Sequence, residues 1–427
     1  MDAVKVKSGN ADRLGDLTLP EGAAWVSSAR RDALARVTAM GLPGRRDEYW
    51  KYTNPATLNQ SDALESPVFN PVDTPVFGTI DRLKVVFVDG VFDADASDDL
   101  TMAGIEIERL SEVSQSDIHW AKDLYGVLET RGQTPVARPF ATLNTATALD
   151  GVVIRVTGKA AKPVSLIYMQ NDDNSDVVLH NVIKVEAGAE LTLLENGPAA
   201  ARLSKVTEVD VADGGKFHHV RTQGRAHGRR AVTHIFARLG QESSFKSFTL
   251  TVNGVLTRNE AVIEFTGDNA IAHVAGAAVG DGDFHHDDTI FVTHDALSCE
   301  SRQVFKKVLR NGATGVFQGK ILVKAGAQKT DGYQISQALL LDGDSQFLAK
   351  PELEIYADDV ICSHGSTTGA IDEAALFYLR SRGILQNQAQ DLLVLAFLAD
   401  AIDEIEDETI AAELLDRLQG WLYRHAS

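Results

Sequence analysis

The chain is poor in cysteine and in positive charge, and each shortage excludes a class of protein. Its 427 residues include only two cysteines, Cys299 and Cys362, which excludes a disulfide framework and a self-contained zinc module built from cysteine pairs. Lys and Arg number 41 against 60 Asp and Glu, so the formal charge is −19. Binders of duplex nucleic acid or of anionic membranes need concentrated positive charge, so we expect neither kind of partner.

Long apolar runs and proline are also scarce. The longest apolar run, residues 392–399, lies between Asp391 and Asp400 and is far too short to span a bilayer. The first residues lack the apolar segment of a secretory signal, so we expect a cytoplasmic protein. The 11 prolines amount to about half the usual frequency, whereas the 34 glycines slightly exceed it. This balance indicates ordered strands joined by glycine turns.

Residues 152–360 carry short β-branched or alternating runs such as VVIRV, NVIKV and AVIEF. Gly188, Gly214, Gly240 and Gly267 follow one another at spacings of 26, 26 and 27 residues. A fixed period of this size indicates stacked repeats, and we predict a parallel β-solenoid. The near absence of helical periodicity disfavours a doubly wound α/β sheet. An antiparallel sandwich remains the alternative.

Helical patterns flank this stretch. They predict a helix from Pro20 to Met40, a helical insertion near 116–129, and a helix capped by Asp372 and ended by Gly383. Two more helices follow, the last with an apolar stripe of Leu414, Leu415, Leu418, Trp421 and Leu422. We therefore divide the chain into an N-terminal helical region (1–80), a β-solenoid core (81–365) and a C-terminal helical domain (366–427).

Two segments have alternative interpretations. The aromatic residues of RRDEYWKYTNP, from Arg45 to Pro55, are expected to anchor a small lobe to the main body rather than to stack on a ligand. Residues 386–427 hold nine acidic residues and two arginines, a net charge of 2 − 9 = −7. By charge alone, this is either a solvated helical face or a surface for a partner.

The sequence lacks the motifs of common enzymes. The segment from Gly315 to Ile321, GVFQGKI, is one residue too short between its glycines for a phosphate-binding loop and has Ile where Ser or Thr should bind magnesium. A GxSxG elbow and an HExxH pair are also absent. We expect this chain to bind no nucleotide.

Two clusters contain potential metal ligands. In HHDDTIFVTHD, alternation along a strand places His286, Asp288 and His294 on one face, where structural hydrogen bonding is favoured over metal binding. Cys362 and His364 also emerge on one side of an extended strand and form half of a site for iron, zinc or an iron–sulfur cluster. The remaining ligands would come from another chain.

A long motif links these observations to a known family. Residues 351–384, PELEIYADDVICSHGSTTGAIDEAALFYLRSRGI, resemble the SufB/SufD family of iron–sulfur cluster assembly scaffolds, and the CSHG form resembles its SufD branch most. The segments LTRNEAVIEFTG, HHDDTIFVTHDALSCESRQVFKKVL, GVFQGKILVKAGAQKTDGYQ, PFATLNTATALDGVVIRV and DEYWKYTN extend the resemblance from about residue 45 to about 385. STTG stands where the family more often has ATVG, a change that is conservative in size.

The resemblance implies a right-handed parallel β-helix between helical regions, paired with the paralogue SufB and bound to the ABC-type ATPase SufC. It implies that His364 faces SufB where a transient cluster or iron is shared, with Cys362 on the same strand. It also implies that the C-terminal helices bind SufC, and the docking residues we assign there are Leu376, Phe377, Arg380, Arg382 and Gly383.

These expectations describe a non-enzymatic scaffold subunit. The alternatives are a homodimeric β-helix scaffold acting without SufB and a polysaccharide-acting β-solenoid enzyme. The enzyme is disfavoured because it needs paired carboxylates and aromatic sugar platforms, whereas Trp25, Trp50 and Trp421 all lie outside the solenoid.

Overall fold

The chain folds as a parallel β-solenoid with helices packed against its sides. The computed structural model describes residues 13–15, 17–68, 75–197, 199–224 and 227–424.

The strands are, in chain order, β1 (Leu83–Val88), β2 (Val91–Phe92), β3 (Ile105–Arg109), β4 (Val152–Val156), β5 (Val164–Met169), β6 (Asp176–Val185), β7 (Glu190–Asn196), β8 (Arg202–Val211), β9 (Lys216–Gln223), β10 (Arg230–Leu239), β11 (Ser244–Val252), β12 (Leu256–Phe265), β13 (Ile271–Asp281), β14 (His285–His294), β15 (Glu300–Arg310), β16 (Thr314–Val323), β17 (Asp331–Leu340), β18 (Gln346–Ile355) and β19 (Ile361–Gly369). The helices are α1 (Ala24–Met40), α2 (Ala56–Asn59), α3 (Leu110–Val113), α4 (Val127–Arg131), α5 (Pro139–Thr147), α6 (Glu373–Ser381), α7 (Gln386–Ile402) and α8 (Glu408–Arg424), with 3₁₀ turns at Glu48–Trp50 and Trp120–Asp123.

From β4 onward, successive strands alternate between a nine-stranded and a ten-stranded sheet. Each strand pairs in parallel with the strand two positions along the chain, so one coil contributes one strand to each sheet. The pairing repeats after 26 residues where Arg230 meets Leu256 and after 32 where Thr314 meets Gln346. The predicted solenoid is confirmed. Antiparallel pairing occurs at the N-terminal end, between β1 and β2 and between β3 and β4.

Alternate residues of each strand point into the solenoid. Leu191 and Leu193 in β7 and Ile290 and Val292 in β14 are buried there in one apolar cluster that runs through most coils. Gly188 and Gly214 lie at corners with φ of 69° and 67°, a left-handed conformation that glycine adopts without steric cost. The regular spacing of these glycines in the sequence thus reflects the spacing of the corners between strands.

Helices cover both outer faces of the solenoid. The N-terminal helices pack on the nine-stranded sheet, where Val26 and Leu128 join Val206 and Phe236 in one cluster. The C-terminal helices pack on the ten-stranded sheet through an apolar cluster that includes Val394, Leu398, Leu414, Leu418, Ala277 and Val308. Parallel sheets need apolar cover on both faces, and these helices supply it.

Most of the predicted helices are present. The Pro20–Met40 segment forms α1, but the insertion near 116–129 is only a 3₁₀ turn followed by α4. The Asp372 side chain accepts hydrogen bonds from the backbone N–H groups of Ala374 and Ala375, which confirms the predicted cap of α6. The predicted stripe of α8 is buried except for Leu415. None of the described helices is both long and apolar enough to cross a membrane.

The division into three domains stays a prediction. The structure places the first strand at Leu83 and the last strand at Gly369, close to the proposed limits of the core. In the proposed N-terminal region, residues 1–12, 16 and 69–74 lie outside the described residues.

The acidic residues of segment 386–427 have a role that neither interpretation of their charge included. Three of them pair with basic side chains on the outer face of the ten-stranded sheet: Asp400 with Lys306 at 2.5 Å, Glu404 with His273 at 3.1 Å and Glu406 with Lys246 at 2.5 Å. Part of the acidity therefore fixes the helical lobe to its own solenoid.

The aromatic segment before α2 is an anchor, as predicted. Tyr49 and Trp50 are buried, and the ring of Trp50 packs against Phe140 with its centroid 5.4 Å away. The Arg258 guanidinium lies 4.1 Å from the Trp50 ring centroid, an attractive arrangement for a cation and an aromatic face. The segment therefore fixes the N-terminal region to the nine-stranded sheet.

A buried ion pair lies inside the solenoid, where Glu195 of β7 contacts Lys205 of β8. His219 and the Tyr168 hydroxyl also approach the Glu195 carboxylate, at 3.1 Å and 3.0 Å. Burial alone would raise the pKa of Glu195, but Lys205, His219 and Arg221 hold it well below its ordinary value. Burial lowers the pKa of Lys205 to about 8, although Glu195 opposes that shift. The pair is thus stable only because both charges are present.

We predict that Glu195→Gln destabilises the protein by about 3–5 kcal/mol, because it leaves a buried ammonium without its counter-charge. Urea unfolding followed by circular dichroism measures this free energy. Glu190→Gln on the same strand is the control, since Glu190 pairs with the exposed Lys159 and Lys216 and should cost less than about 1 kcal/mol. Equal effects of the two variants would contradict the role given to the buried pair.

Candidate functional site

The solenoid ends in an open coil formed by β18 and β19. β18 pairs only with β16, and β19 pairs only with β17, so both are edge strands of their sheets among the described residues. An edge strand presents backbone N–H and C=O groups that can pair with another chain. In the part of the chain that the structure describes, no further coil covers the inward-facing residues of this coil, and most of β19 is exposed.

Cys362 and His364 both belong to the inner side of this open coil. Cys362 is in register with Gly332, and a Cβ placed on Gly332 would lie 3.2 Å from the Cys362 Sγ and 3.4 Å from the Ile321 side chain. Ile321 is buried inside the solenoid, so Cys362 points inward. His364 follows two residues later and therefore points to the same side, in register with the buried Gln334.

The two side chains differ in exposure. Cys362 is half-buried against the cluster that contains Ile321, whereas His364 is exposed at the end of the solenoid. Burial raises the pKa of the Cys362 thiol, and the Asp331 carboxylate raises it further. The thiol is therefore protonated at neutral pH and would lose its proton on binding a metal.

This pair fits iron or an iron–sulfur cluster as cargo. A thiolate and an imidazole are ligands that iron–sulfur sites use, and two residues along a strand separate their Cα atoms by roughly 7 Å. Within the described parts of the chain, no group of three or more His, Cys, Asp and Glu side chains is placed to hold a metal. The pair can thus supply only part of a coordination sphere.

The opposite strand contributes an apolar side to the open coil. In β16, Phe317, Gly319 and Ile321 face inward. Pro351 and Leu353 of β18 are in register with the last two and therefore lie on the inner side as well. Proline lacks a backbone N–H and is tolerated on an edge strand. The alternation in QFLAKPELE was the sequence signal that could have identified these residues.

The N-terminal aromatic segment reaches this coil. The Tyr49 hydroxyl donates to the Glu352 carboxylate, the Lys350 Nζ lies 2.6 Å from a Glu48 carboxylate oxygen, and the same ammonium is 3.9 Å from the Tyr49 ring centroid. Burial raises the pKa of Tyr49 well above its ordinary value, and the hydrogen bond to Glu352 raises it further. The segment holds β18 in place from its outer face, a role that the sequence did not indicate.

The structure does not bring His286, Asp288 and His294 together. They share the inner side of β14, as predicted, and His286 lies 3.6 Å from Asp288. His294 is six residues beyond Asp288, roughly 20 Å along the strand, which is too far for a shared ion. Lys307 occupies the space between His286 and Asp288, with its Nζ 2.9 Å from the histidine Nδ1 and 2.7 Å from a carboxylate oxygen. Burial lowers the pKa of His286, and Lys307 lowers it further.

The five residues assigned to ATPase docking are divided between two sides of α6. Leu376 is buried, so its side chain is not available to a partner. Phe377 is 74 % exposed, and Arg380 and Arg382 are exposed with it. Gly383 has φ of 90° and ends the turn after α6.

Sequence reasoning missed two further exposed apolar residues beside this set. Tyr378 is exposed on α6 next to Phe377, and the Arg382 guanidinium lies 5.1 Å from its ring centroid. Leu385, just before α7, is exposed as well. An aromatic pair followed by two arginines, FYLRSR, was the available signal for an interaction surface.

Two family models together match most of the chain. The model described as "SUF system FeS cluster assembly, SufBD core domain" matches residues 168–397, and the model "SufBD protein N-terminal region" matches residues 18–164. The first therefore includes the open coil, α6 and most of α7.

Individual relatives agree with these models. The chain is 27 % identical to the iron–sulfur cluster assembly protein SufD of Escherichia coli over 408 residues, which cover 90 % of each chain. It is 25 % identical to an iron–sulfur cluster assembly SufBD family protein of Synechocystis, over 88 % of this chain and 86 % of that protein. It is also 25 % identical to SufD of Bacillus subtilis over 60 % of each chain.

We predict that iodoacetamide alkylates Cys362 at least about tenfold faster than Cys299, because Cys362 lies at the open end whereas Cys299 is 1 % exposed. Burial raises the pKa of both thiols, so both reactions should accelerate as the pH rises. Peptide mass spectrometry over time measures the two rates, with Cys362→Ser as the control that removes the fast reaction. Similar rates would contradict the open coil.

Proposed function

The chain belongs to the SufBD family of SUF-system iron–sulfur cluster assembly proteins, and we propose that it is a non-enzymatic scaffold subunit that builds a nascent cluster at its open coil. The observation that carries the proposal is the pair Cys362 and His364 on the inner side of an unpaired edge. The cluster or iron is cargo in this proposal, and the chain supplies two ligands to it.

The partner at the open coil is a SufB-like paralogue. Two free strand edges accept strands from another β-solenoid, which would continue both sheets and cover the exposed inner residues. Around the corner between β18 and β19, Ile355, Tyr356 and Ile361 are exposed and offer apolar area to such a neighbour. The paralogue then supplies the remaining cluster ligands, and pairing buries the nascent cluster.

The second partner is a SufC-like ATPase bound at α6. The sequence has no nucleotide-binding motif, so the nucleotide belongs to the partner. Phe377, Tyr378 and Leu385 with Arg380 and Arg382 form an exposed surface of aromatic, aliphatic and arginine side chains, the composition enriched at interfaces. Three acidic side chains elsewhere in the lobe pair with the solenoid, so we place the docking surface on α6.

The two proposed surfaces are mechanically connected. β19 ends at Gly369 and α6 begins at Glu373, so only three residues separate the strand of His364 from the proposed ATPase site. Nucleotide-driven movement of the ATPase would displace α6 and, through this short connection, β19. We propose that this movement opens the paired coils to iron and sulfide, with the interface as the two-state element.

Self-pairing of two copies through the same edge is the second candidate, because the open coil would accept an identical coil. Native mass spectrometry separates the two. A dimeric mass that persists when the paralogue is added favours self-pairing, whereas a heterodimer favours the scaffold pair.

We predict that His364→Ala lowers cluster formation by at least about 10–100-fold, because it removes a ligand that the partner cannot replace. Anaerobic reconstitution with the purified paralogue and ATPase, followed by visible absorption and Mössbauer spectra, measures the yield. His227→Ala, at another exposed histidine, is the matched control. A His364→Ala complex that assembles clusters at the full rate would overturn this role.

We predict that Phe377→Asp combined with Arg380→Glu weakens ATPase binding by about 2 kcal/mol or more, roughly thirtyfold in Kd. Both residues are exposed, so we expect this variant to fold, whereas removing α7 and α8 would uncover an apolar sheet. Tyr423→Asp, at an exposed aromatic residue on α8, is the control in the same pull-down. Unchanged binding of the double variant would place the docking surface elsewhere.

A further inference from the structure

A column of polar residues leads from the solenoid interior to His364. In the ten-stranded sheet, Gln303 of β15 is in register with Gln334 of β17, and Gln334 is in register with His364 of β19. Parallel strands in register place such side chains directly above one another, about 4.8 Å apart at the backbone. His364 is thus the exposed last member of a column whose two preceding members are buried.

The two amides in this column lack hydrogen-bond partners. Gln303 and Gln334 are both completely buried, and for each the amide nitrogen and the amide oxygen have no partner among the described residues. A buried amide without hydrogen bonds costs free energy, and native proteins satisfy most such groups. Stacked glutamines on neighbouring strands can bond to one another along a ladder.

The opposite strand is shaped to accommodate Gln334. A Cβ placed on Gly319 of β16 would lie 2.6 Å from the carboxamide carbon, nitrogen and oxygen of Gln334, so a larger residue there would displace this carboxamide from its place. In the next coil, Pro351 is in register with Gly319 and lies opposite His364. The amide of Gln334 is therefore held in the layer directly beneath His364.

We propose that Gln334 is a positioning residue for His364, an inference that rests on the proposed function of that histidine. The Gln334 carboxamide oxygen accepts the N–H of one ring nitrogen of His364, while its NH₂ group donates to the carboxamide oxygen of Gln303. The second ring nitrogen then carries its lone pair towards the open end, where the cluster or iron is bound.

Metal-binding histidines commonly donate their other ring N–H to an oxygen, which fixes the tautomer and the ring orientation. An amide oxygen can accept this bond without adding a charge to the interior, unlike the carboxylate of Asp or Glu. Cys362 has no comparable partner in the layer beneath it, because it is in register with Gly332, which has no side chain.

The test measures the tautomer of His364 by ¹⁵N NMR on the full chain labelled at histidine, with His364→Ala to assign the signal. In the unsubstituted protein, we expect one ring tautomer to predominate. Gln334→Met, which is close in size but cannot accept the bond, should give the mixture of tautomers of free histidine. It should also lower cluster yield about 10–100-fold with the paralogue and ATPase. The control is Gln337→Met on the outer side of β17, where the amide bonds to Thr367.

Further variants separate positioning from folding. Gln334→Glu keeps the acceptor oxygen and should retain the single tautomer, whereas Gln334→Asn is too short and should lose it even where Gln334→Met fails to fold. A tautomer ratio that is the same in the unsubstituted protein, Gln334→Met and Gln334→Asn would overturn the inference. Full cluster formation by His364→Ala would overturn the proposed function instead and leave the tautomer result to decide the role of Gln334.

Discussion

The structure depends on one constraint, which is that each coil of a parallel solenoid leaves its backbone edge and inner residues to be covered by the next coil. Within the stack this requirement is met by in-register pairing from β4 to β19. At the N-terminal end, the antiparallel strands β2 and β3 close the sheets. Among the described residues, no strand closes the C-terminal coil, so the uncovered backbone edge and inner residues include Cys362 and His364.

The same constraint explains where charge is found. The outer faces need cover, and the helices that provide it are attached by apolar contacts together with ion pairs such as Lys306 with Asp400. Inside, polar groups are tolerated when they form complete sets, as Glu195 does with Lys205 and His219. The amides of Gln303 and Gln334 have no partner among the described residues, and the proposed bond to His364 would give Gln334 one.

Much of the fold could be predicted from the sequence because its signals are local and repeated. The spacing of corner glycines gave the solenoid, the Cys-x-His alternation placed Cys362 and His364 on one side, and Asp372 marked the start of α6. Other features depend on contacts distant in sequence. The helix α5 was missed because nearly every residue in it is buried, which removes the amphipathic period. The burial of Leu376 and the hydrogen bond from Tyr49 to Glu352 likewise follow from tertiary packing alone.

The close approach of Gly319 to Gln334 couples the evolution of two positions 15 residues apart in sequence. While the Gln334 carboxamide stays in its present place, a larger residue at 319 would displace it. A lineage that loses the glutamine can accept a larger residue at 319, whereas a lineage that keeps the glutamine in this place favours glycine there. Among relatives, therefore, these two positions should vary together, and the pair offers a marker of which members retain a positioned histidine at the end of the solenoid.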